Sequence, residues 1–184
     1  MESHRNKKIV LAGGTGFVGI YFSEQFKALG YQVVIISRNN AHIQWDNVQE
    51  IEDALNNAEM LINLAGKSVN CRYNQANKNE ILRSRVATTK RLGDAILKCN
   101  NPPKIWINSS TATIYRHAMD RPMIENDGEI CSGFSLDVAT NWEQAFFDFD
   151  LPQTRQIALR MAIVLGKGGG VMRPFVNLVR FGLG

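Results

Sequence analysis

The chain has 184 residues, 45% of them hydrophobic and 21% charged, with a formal net charge of +4. That length supports one well-packed domain and is too short for two ordinary ones. Its cations are spread along the chain in pairs such as Lys7-Lys8 and Lys90-Arg91 rather than in one stripe interleaved with aromatics, so no nucleic-acid partner is expected.

The apolar runs are strand-length and no charged-then-apolar leader precedes them, so the reading is of a cytoplasmic protein with no membrane contact. Cys71, Cys99 and Cys131 are odd in number and widely spaced, which suits reduced thiols and neither a disulfide framework nor a metal site.

Ile9 to Ala12 reads as a short buried parallel strand. A helix follows, because Val18, Phe22, Phe26 and Leu29 recur at helical spacing before Gly30 stops it. Gly13, Gly16 and Gly19 fall at the turn between them, and each has its own physical task. Gly13 makes the tight turn, Gly16 lets backbone N–H groups approach a pyrophosphate, and Gly19 lets the helix pack closely, its N-terminus facing the negative charge. Gly13, Thr15, Gly16, Phe17, Val18 and Gly19 are therefore the candidate phosphate cradle. The spacing is G-x-x-G-x-x-G rather than G-x-G-x-x-G, and the alternative is a plain glycine turn.

The second strand, Gln32 to Ile36, ends in Ser37-Arg38-Asn39-Asn40 with no acid. An acid at that place reads a ribose 2′-hydroxyl, whereas an arginine reads a 2′-phosphate. Ser37 and Arg38 thus favour NADP(H) over NAD(H), the guanidinium as a bidentate fork and the hydroxyl as one more donor. Residues 41–45 read as a short third strand, 48–58 as a helix and Met60 to Gly66 as the fourth strand. Its end places Leu64, Ala65 and Gly66 where a parallel sheet delivers ligands. Residues 67–79 read as a polar loop containing Arg72, which either meets an anionic substrate or is a solvated side chain, and Ile81 to Cys99 as a long helix. Strand five, Lys104 to Asn108, delivers Ser109-Ser110-Thr111, hydroxyls that bond a substrate oxygen or cap the backbone. A loop over 116–133 carries His117, read as exposed. A helix over Ser135 to Phe149 has the core stripe Ala139, Trp142 and Phe146. Strand six spans Ile157 to Leu165, then come a glycine loop over 166–170 and a last apolar helix from Val171 to Phe181. Trp45, Trp106 and Trp142 read as core or half-buried groups. Strands alternating with helices imply an α/β fold, a mainly parallel sheet with helices on both faces.

With Gly13-Gly-Thr-Gly-Phe-Val-Gly19, Ser37-Arg-Asn39, Ile62-Asn-Leu-Ala-Gly66, Ser84-Arg85, Trp142-Glu143 and Arg160-Met-Ala-Ile-Val-Leu-Gly166, the chain resembles the extended short-chain dehydrogenase/reductase superfamily. Within it the motifs are similar to the atypical nucleotide-sugar-epimerase-like branch, the epimerase family proteins with a DUF1731 tail. The resemblance covers essentially all residues. It implies a doubly wound Rossmann fold forming one domain over 1–184, NADP(H) as cofactor, and epimerase or oxidoreductase chemistry on a nucleotide-sugar-like or small carbonyl substrate.

Two departures stand out. The superfamily's Tyr-x-x-x-Lys pair, in which lysine tunes the tyrosine for proton exchange, is missing. Tyr21, Tyr31, Tyr73 and Tyr115 are followed four residues later by Gln25, Ile35, Asn77 and Met119, and the pair's place falls at Ser135 and Ala139. Ser110 and Tyr115, which align with a serine and tyrosine of the branch, are the remaining catalytic candidates. Tyr115 would serve as a hydrogen-bond donor, because an unassisted tyrosine titrates near pH ~10. The same residues leave open a non-catalytic NADP(H)-binding sensor or interaction protein. The second departure is length: proteins of the branch continue past Gly182-Leu-Gly184 into a substrate-binding region, so the expectation is either of a cut chain or of one whose substrate lobe is largely absent, and a face so exposed would favour homo-oligomers.

Overall fold

A computed structural model describes residues 7–130, 132–166 and 169–183. In chain order they form β1 (Lys8–Ala12), α1 (Phe17–Ala28), β2 (Gln32–Ser37), β3 (Ile43–Gln44), α2 (Val48–Leu55), β4 (Ala58–Asn63) and α3 (Gln75–Leu97). Then follow β5 (Ile105–Thr111), a 3₁₀ turn (Ala112–Ile114), α4 (Phe134–Phe147), β6 (Arg155–Met161) and α5 (Met172–Arg180). The six strands pair in parallel in the order β3-β2-β1-β4-β5-β6. This is the doubly wound Rossmann order, whose direction of winding reverses between β1 and β4 and opens a crevice at the carboxyl ends there.

Alternation along the strands builds two cores. Val10 and Ala12 of β1, Leu61 of β4 and Trp106 of β5 pack with Ile51 and Leu55 of α2, Leu92 and Ile96 of α3 and Phe146 of α4. On the opposite face Ile9, Leu11 and Ile62 meet Phe22 and Phe26 of α1 and Tyr31. Strands buried on both faces read as continuous apolar runs, which is why β1, β2 and β4 stand out in the sequence. Trp106 is fully buried, its ring edge-on to Phe146 with centroids 4.6 Å apart; Trp142 is buried and Trp45 half-buried.

Several element ends differ from the pattern-based ranges. α2 stops at Leu55, because Asn57 turns the chain at φ 60 and Ala58 already starts β4. Asparagine is among the few residues that take this left-handed turn readily. β4 ends at Asn63 rather than Gly66, since the Asn63 carboxamide oxygen takes the Ala65 N–H at 3.1 Å and leads the chain off the sheet. α3 starts at Gln75, inside the span read as loop, with the Asn74 side chain capping it through the Asn77 N–H at 2.9 Å. Its first turns are polar, so they carry no apolar period to find. β6 begins at Arg155 and stops at Met161, short of Leu165.

Cys71 and Cys99 are free thiols, while Cys131 and two residues of the glycine loop, Lys167 and Gly168, lie outside the described residues. Among the described residues no helix is long and apolar enough to cross a membrane, and no three potential ligands gather around a metal position.

Candidate functional site

The first wall of the site is the β1–α1 turn. Gly13 has φ +78, donates its N–H to the Ile36 carbonyl at 2.8 Å, and a Cβ there would lie 2.8 Å from Ala65 N. Only glycine fits that turn. Gly19 sits at the other extreme of the motif, where a Cβ would lie 2.6 Å from Gly14 Cα, so α1 is pressed onto the loop itself. Gly16 is open by comparison: the nearest atom to its virtual Cβ is the Gly13 carbonyl at 3.6 Å. It is the N-cap of α1 and supplies no capping side chain, so the first N–H groups of the helix are available to an outside acceptor.

A cleft of about 560 Å³ opens beside this turn. Gly13, Thr15 and Gly16 line one side, Ser37 and Arg38 the end of β2, and Leu64, Ala65, Gly66 and Lys67 the segment after β4. Of the cradle residues expected from sequence, Phe17, Val18 and Gly19 do not line it. The Phe17 ring lies where a Cβ on Gly166 or Gly169 would stand, 2.7 and 2.4 Å away, and so packs against these two glycines at the start of α1.

The remaining walls went unassigned in the sequence. Trp45 lines the cleft just after β3, and Glu80, Arg83, Ser84, Ala87, Thr88 and Arg91 line it from α3. Their spacing by three and four is one helical face, a signal present in the sequence but polar and therefore invisible to a search for apolar stripes.

The lining is strongly cationic. Arg38, Lys67, Arg83 and Arg91 surround it, and the one acid among the described lining residues, Glu80, accepts two hydrogen bonds from Arg83 at 2.9 and 2.7 Å. Ser37 is buried, and its Oγ accepts the Asn39 N–H at 3.0 Å. Its hydroxyl therefore shapes the turn that presents Arg38. Beneath the floor, Arg85 donates to the Lys67 and Ile81 carbonyls at 3.1 and 3.0 Å and stacks 5.1 Å from the Trp142 ring. Burial lowers its pKa. Glycine at 66 makes the room, since a Cβ would meet the Arg85 guanidinium carbon at 3.1 Å.

Two buried polar networks support the sheet edge. In the first, Asn63 Nδ2 donates to Asn108 Oδ1 at 2.7 Å and Thr89 Oγ1 at 3.1 Å, while Trp142 Nε1 reaches the same hydroxyl at 2.9 Å. This ties β4 and β5 to α3 and α4 and fixes the segment from Leu64 to Gly66. In the second, Ser110 Oγ donates to Glu143 Oε1 at 2.5 Å, and Arg160 grips both Glu143 oxygens at 2.9 and 2.7 Å. Arg160 also donates to the Tyr115 hydroxyl and lies 4.9 Å from that ring's centroid. Burial alone would raise the Glu143 carboxyl, but the hydrogen bonds from Arg160 and Ser110 outweigh it and hold its pKa below the usual value. Hydrogen bonding to Glu143 correspondingly raises that of Arg160. The structure thus joins Ser110 and Tyr115 through two motif residues to which sequence had given no role. Neither lines the cleft. Ser135 is exposed and Ala139 buried, so neither supplies a titrating group in place of the missing pair.

Residues 9–131 match the model of the NAD dependent epimerase/dehydratase family. The chain belongs to that family. Within the family's curated members it is similar to the bovine and human proteins called epimerase family protein SDR39U1, at 33% and 32% identity, each alignment covering 96% of this chain and 61% of the relative. The chain therefore spans about three fifths of the length of these relatives. The crystal structure of human epimerase family protein SDR39U1 (isoform 2) with NADPH superposes with a TM-score of 0.85 at 32% identity, over 96% of this chain and 61% of that one. The nucleoside-diphosphate sugar epimerase of Corynebacterium glutamicum, at 23% identity and a TM-score of 0.78 over 96% of this chain and 38% of that one, shares the fold.

Proposed function

We propose that this chain forms the NADP(H)-binding domain of an epimerase or oxidoreductase acting on a nucleotide-sugar-like or small carbonyl substrate. The observation that carries the reading is the cleft's charge: four cations, one of them Arg38 at the acid-free end of β2, against one acid among the described lining residues, already paired. The glycine turn fits a pyrophosphate, because Gly16 leaves open space over the uncapped start of α1. The similarity to a human protein whose structure holds NADPH supports the same cofactor.

In this reading the backbone of Gly13 to Gly16 holds the pyrophosphate, Arg38 the 2′-phosphate, and Leu64 to Gly66 the floor beneath the dinucleotide. NADPH, when bound, supplies a hydride. Because a guanidinium only donates, the Tyr115 oxygen accepts from Arg160 and keeps its own proton for a substrate oxygen. Titration calorimetry with NADPH and NADH tests the cofactor. Arg38→Ala is expected to weaken NADPH by about tenfold or more, the worth of a charge-assisted hydrogen bond, and to leave NADH nearly unchanged. Absence of NADPH binding by the unsubstituted chain would overturn the reading.

A second reading, an NADP(H) sensor without turnover, is favoured by one observation: the Ser110 hydroxyl is buried and already committed to Glu143. Tyr115→Phe separates the two. Loss of a positioned proton donor lowers turnover by about 10²- to 10⁴-fold with NADPH affinity unchanged, whereas a sensor turns over nothing on a carbonyl and nucleotide-sugar panel even before substitution.

A further inference from the structure

The α3 wall of the cleft holds a cation that no motif announces. Arg91 is exposed, lines the cleft, and donates one N–H to the backbone carbonyl of Trp45, 46 residues earlier. The other polar groups of this wall are committed. Arg83 is paired with Glu80, Ser84 Oγ accepts the Lys67 N–H at 2.9 Å, and the Thr88 hydroxyl donates to the Ser84 carbonyl at 2.7 Å. Arg91 is different, since a neutral carbonyl occupies one of its five N–H donors and no carboxylate pairs with it among the described residues. Arg38 likewise has no carboxylate partner among them.

Two unneutralised arginines therefore enter one space from different elements, Arg38 from the end of β2 and Arg91 from α3. The half-buried Trp45 lines the cleft with them, and Ala87, one turn before Arg91, keeps that wall shallow. Like charges held around a shared cavity fit a dianion, which both can grip by charge-assisted hydrogen bonds. We infer that Arg91 is the second jaw of a two-arginine clamp on the 2′-phosphate of NADP(H). Its tether to the Trp45 carbonyl sets the jaw in place and holds the Trp45 ring as a wall for the adenine. The inference rests on the proposed NADP(H) reading of the cleft and adds a residue outside the strand-end motif that sets cofactor choice.

The test titrates the chain, Arg91→Ala and Arg91→Met with NADPH, NADH and 2′,5′-ADP, with thermal melting as a check on folding. Both variants should bind NADPH and 2′,5′-ADP about tenfold or more weakly and NADH within about twofold of the parent. Arg91→Met keeps the aliphatic stem, so an equal loss in both variants assigns the effect to the guanidinium. Unchanged NADPH affinity, or an equal loss for NADPH and NADH, would overturn the clamp while leaving the cofactor reading standing. An unsubstituted chain that binds neither nucleotide would overturn both.

Discussion

Glu143→Ala lowers the free energy of unfolding by about 1.5–3 kcal/mol, the usual worth of hydrogen bonds to a charged group, because its ion-pair partner Arg160 is only part-buried. The Glu143 carboxylate has a side chain only 9% exposed and accepts from Ser110 and twice from Arg160. Its loss strands a guanidinium and a buried hydroxyl together, and removes the side-chain tie of α4 to the paired ends of β5 and β6. Glu143→Gln keeps the volume and one acceptor but not the charge, so it falls between the two. The pH dependence has a definite direction. Because the folded carboxyl titrates below its ordinary value near 4.5, its contribution is present in full above that pH and is lost as pH falls through the lower, folded value. Urea unfolding at pH 7 and at pH 4 and below therefore shows a decline in the parent chain that Glu143→Gln lacks in part. A change under about 1 kcal/mol for Glu143→Ala at pH 7 would refute the account.

What the sequence displays follows how local each cause is. The β1–α1 turn is legible because its requirements are met within a few residues: an apolar strand, a glycine at φ +78, and a helix whose apolar positions recur. That the sheet is parallel follows from the alternation of strands and helices together with right-handed crossovers, whereas the order in which its strands lie is set by which of them meet in space. The polar networks are another matter. Trp142 reaches Thr89 across 53 residues and Ser110 reaches Glu143 across 33; nothing local to either member requires the other. Arg91 and Trp45 were hidden for the same reason, since the wall they form exists only once α3 lies over the end of β3. Phe17 is divided between two tasks. Its ring packs beside the glycines at 166 and 169, where a large apolar group finds contact, while its backbone N–H belongs to the open start of α1.

Gly19→Ala is expected to abolish measurable NADPH binding and to cost about 1–3 kcal/mol of stability, the cost of overpacking. The added methyl would stand 2.6 Å from Gly14 Cα and 2.8 Å from its carbonyl oxygen, against backbone that has no flexible end to yield. Either α1 or the loop has to move. Phe22 and Phe26 hold the helix in the core against Ile9 and Leu11, so the loop gives way, carrying Gly13 and Gly16 out of register with the start of the helix. Gly16→Ala is the informative contrast. Gly16 has φ −80, a region open to any residue, and nothing lies closer than 3.6 Å to its virtual Cβ. The empty protein therefore tolerates alanine at 16 within about 0.5 kcal/mol, and the glycine is required only by whatever approaches the backbone there. If the turn holds a pyrophosphate, Gly16→Ala melts like the parent chain yet binds NADPH about a hundredfold more weakly, a loss near 2.7 kcal/mol. If it binds NADPH as well as the parent does, the phosphates lie elsewhere and the glycine turn serves packing alone.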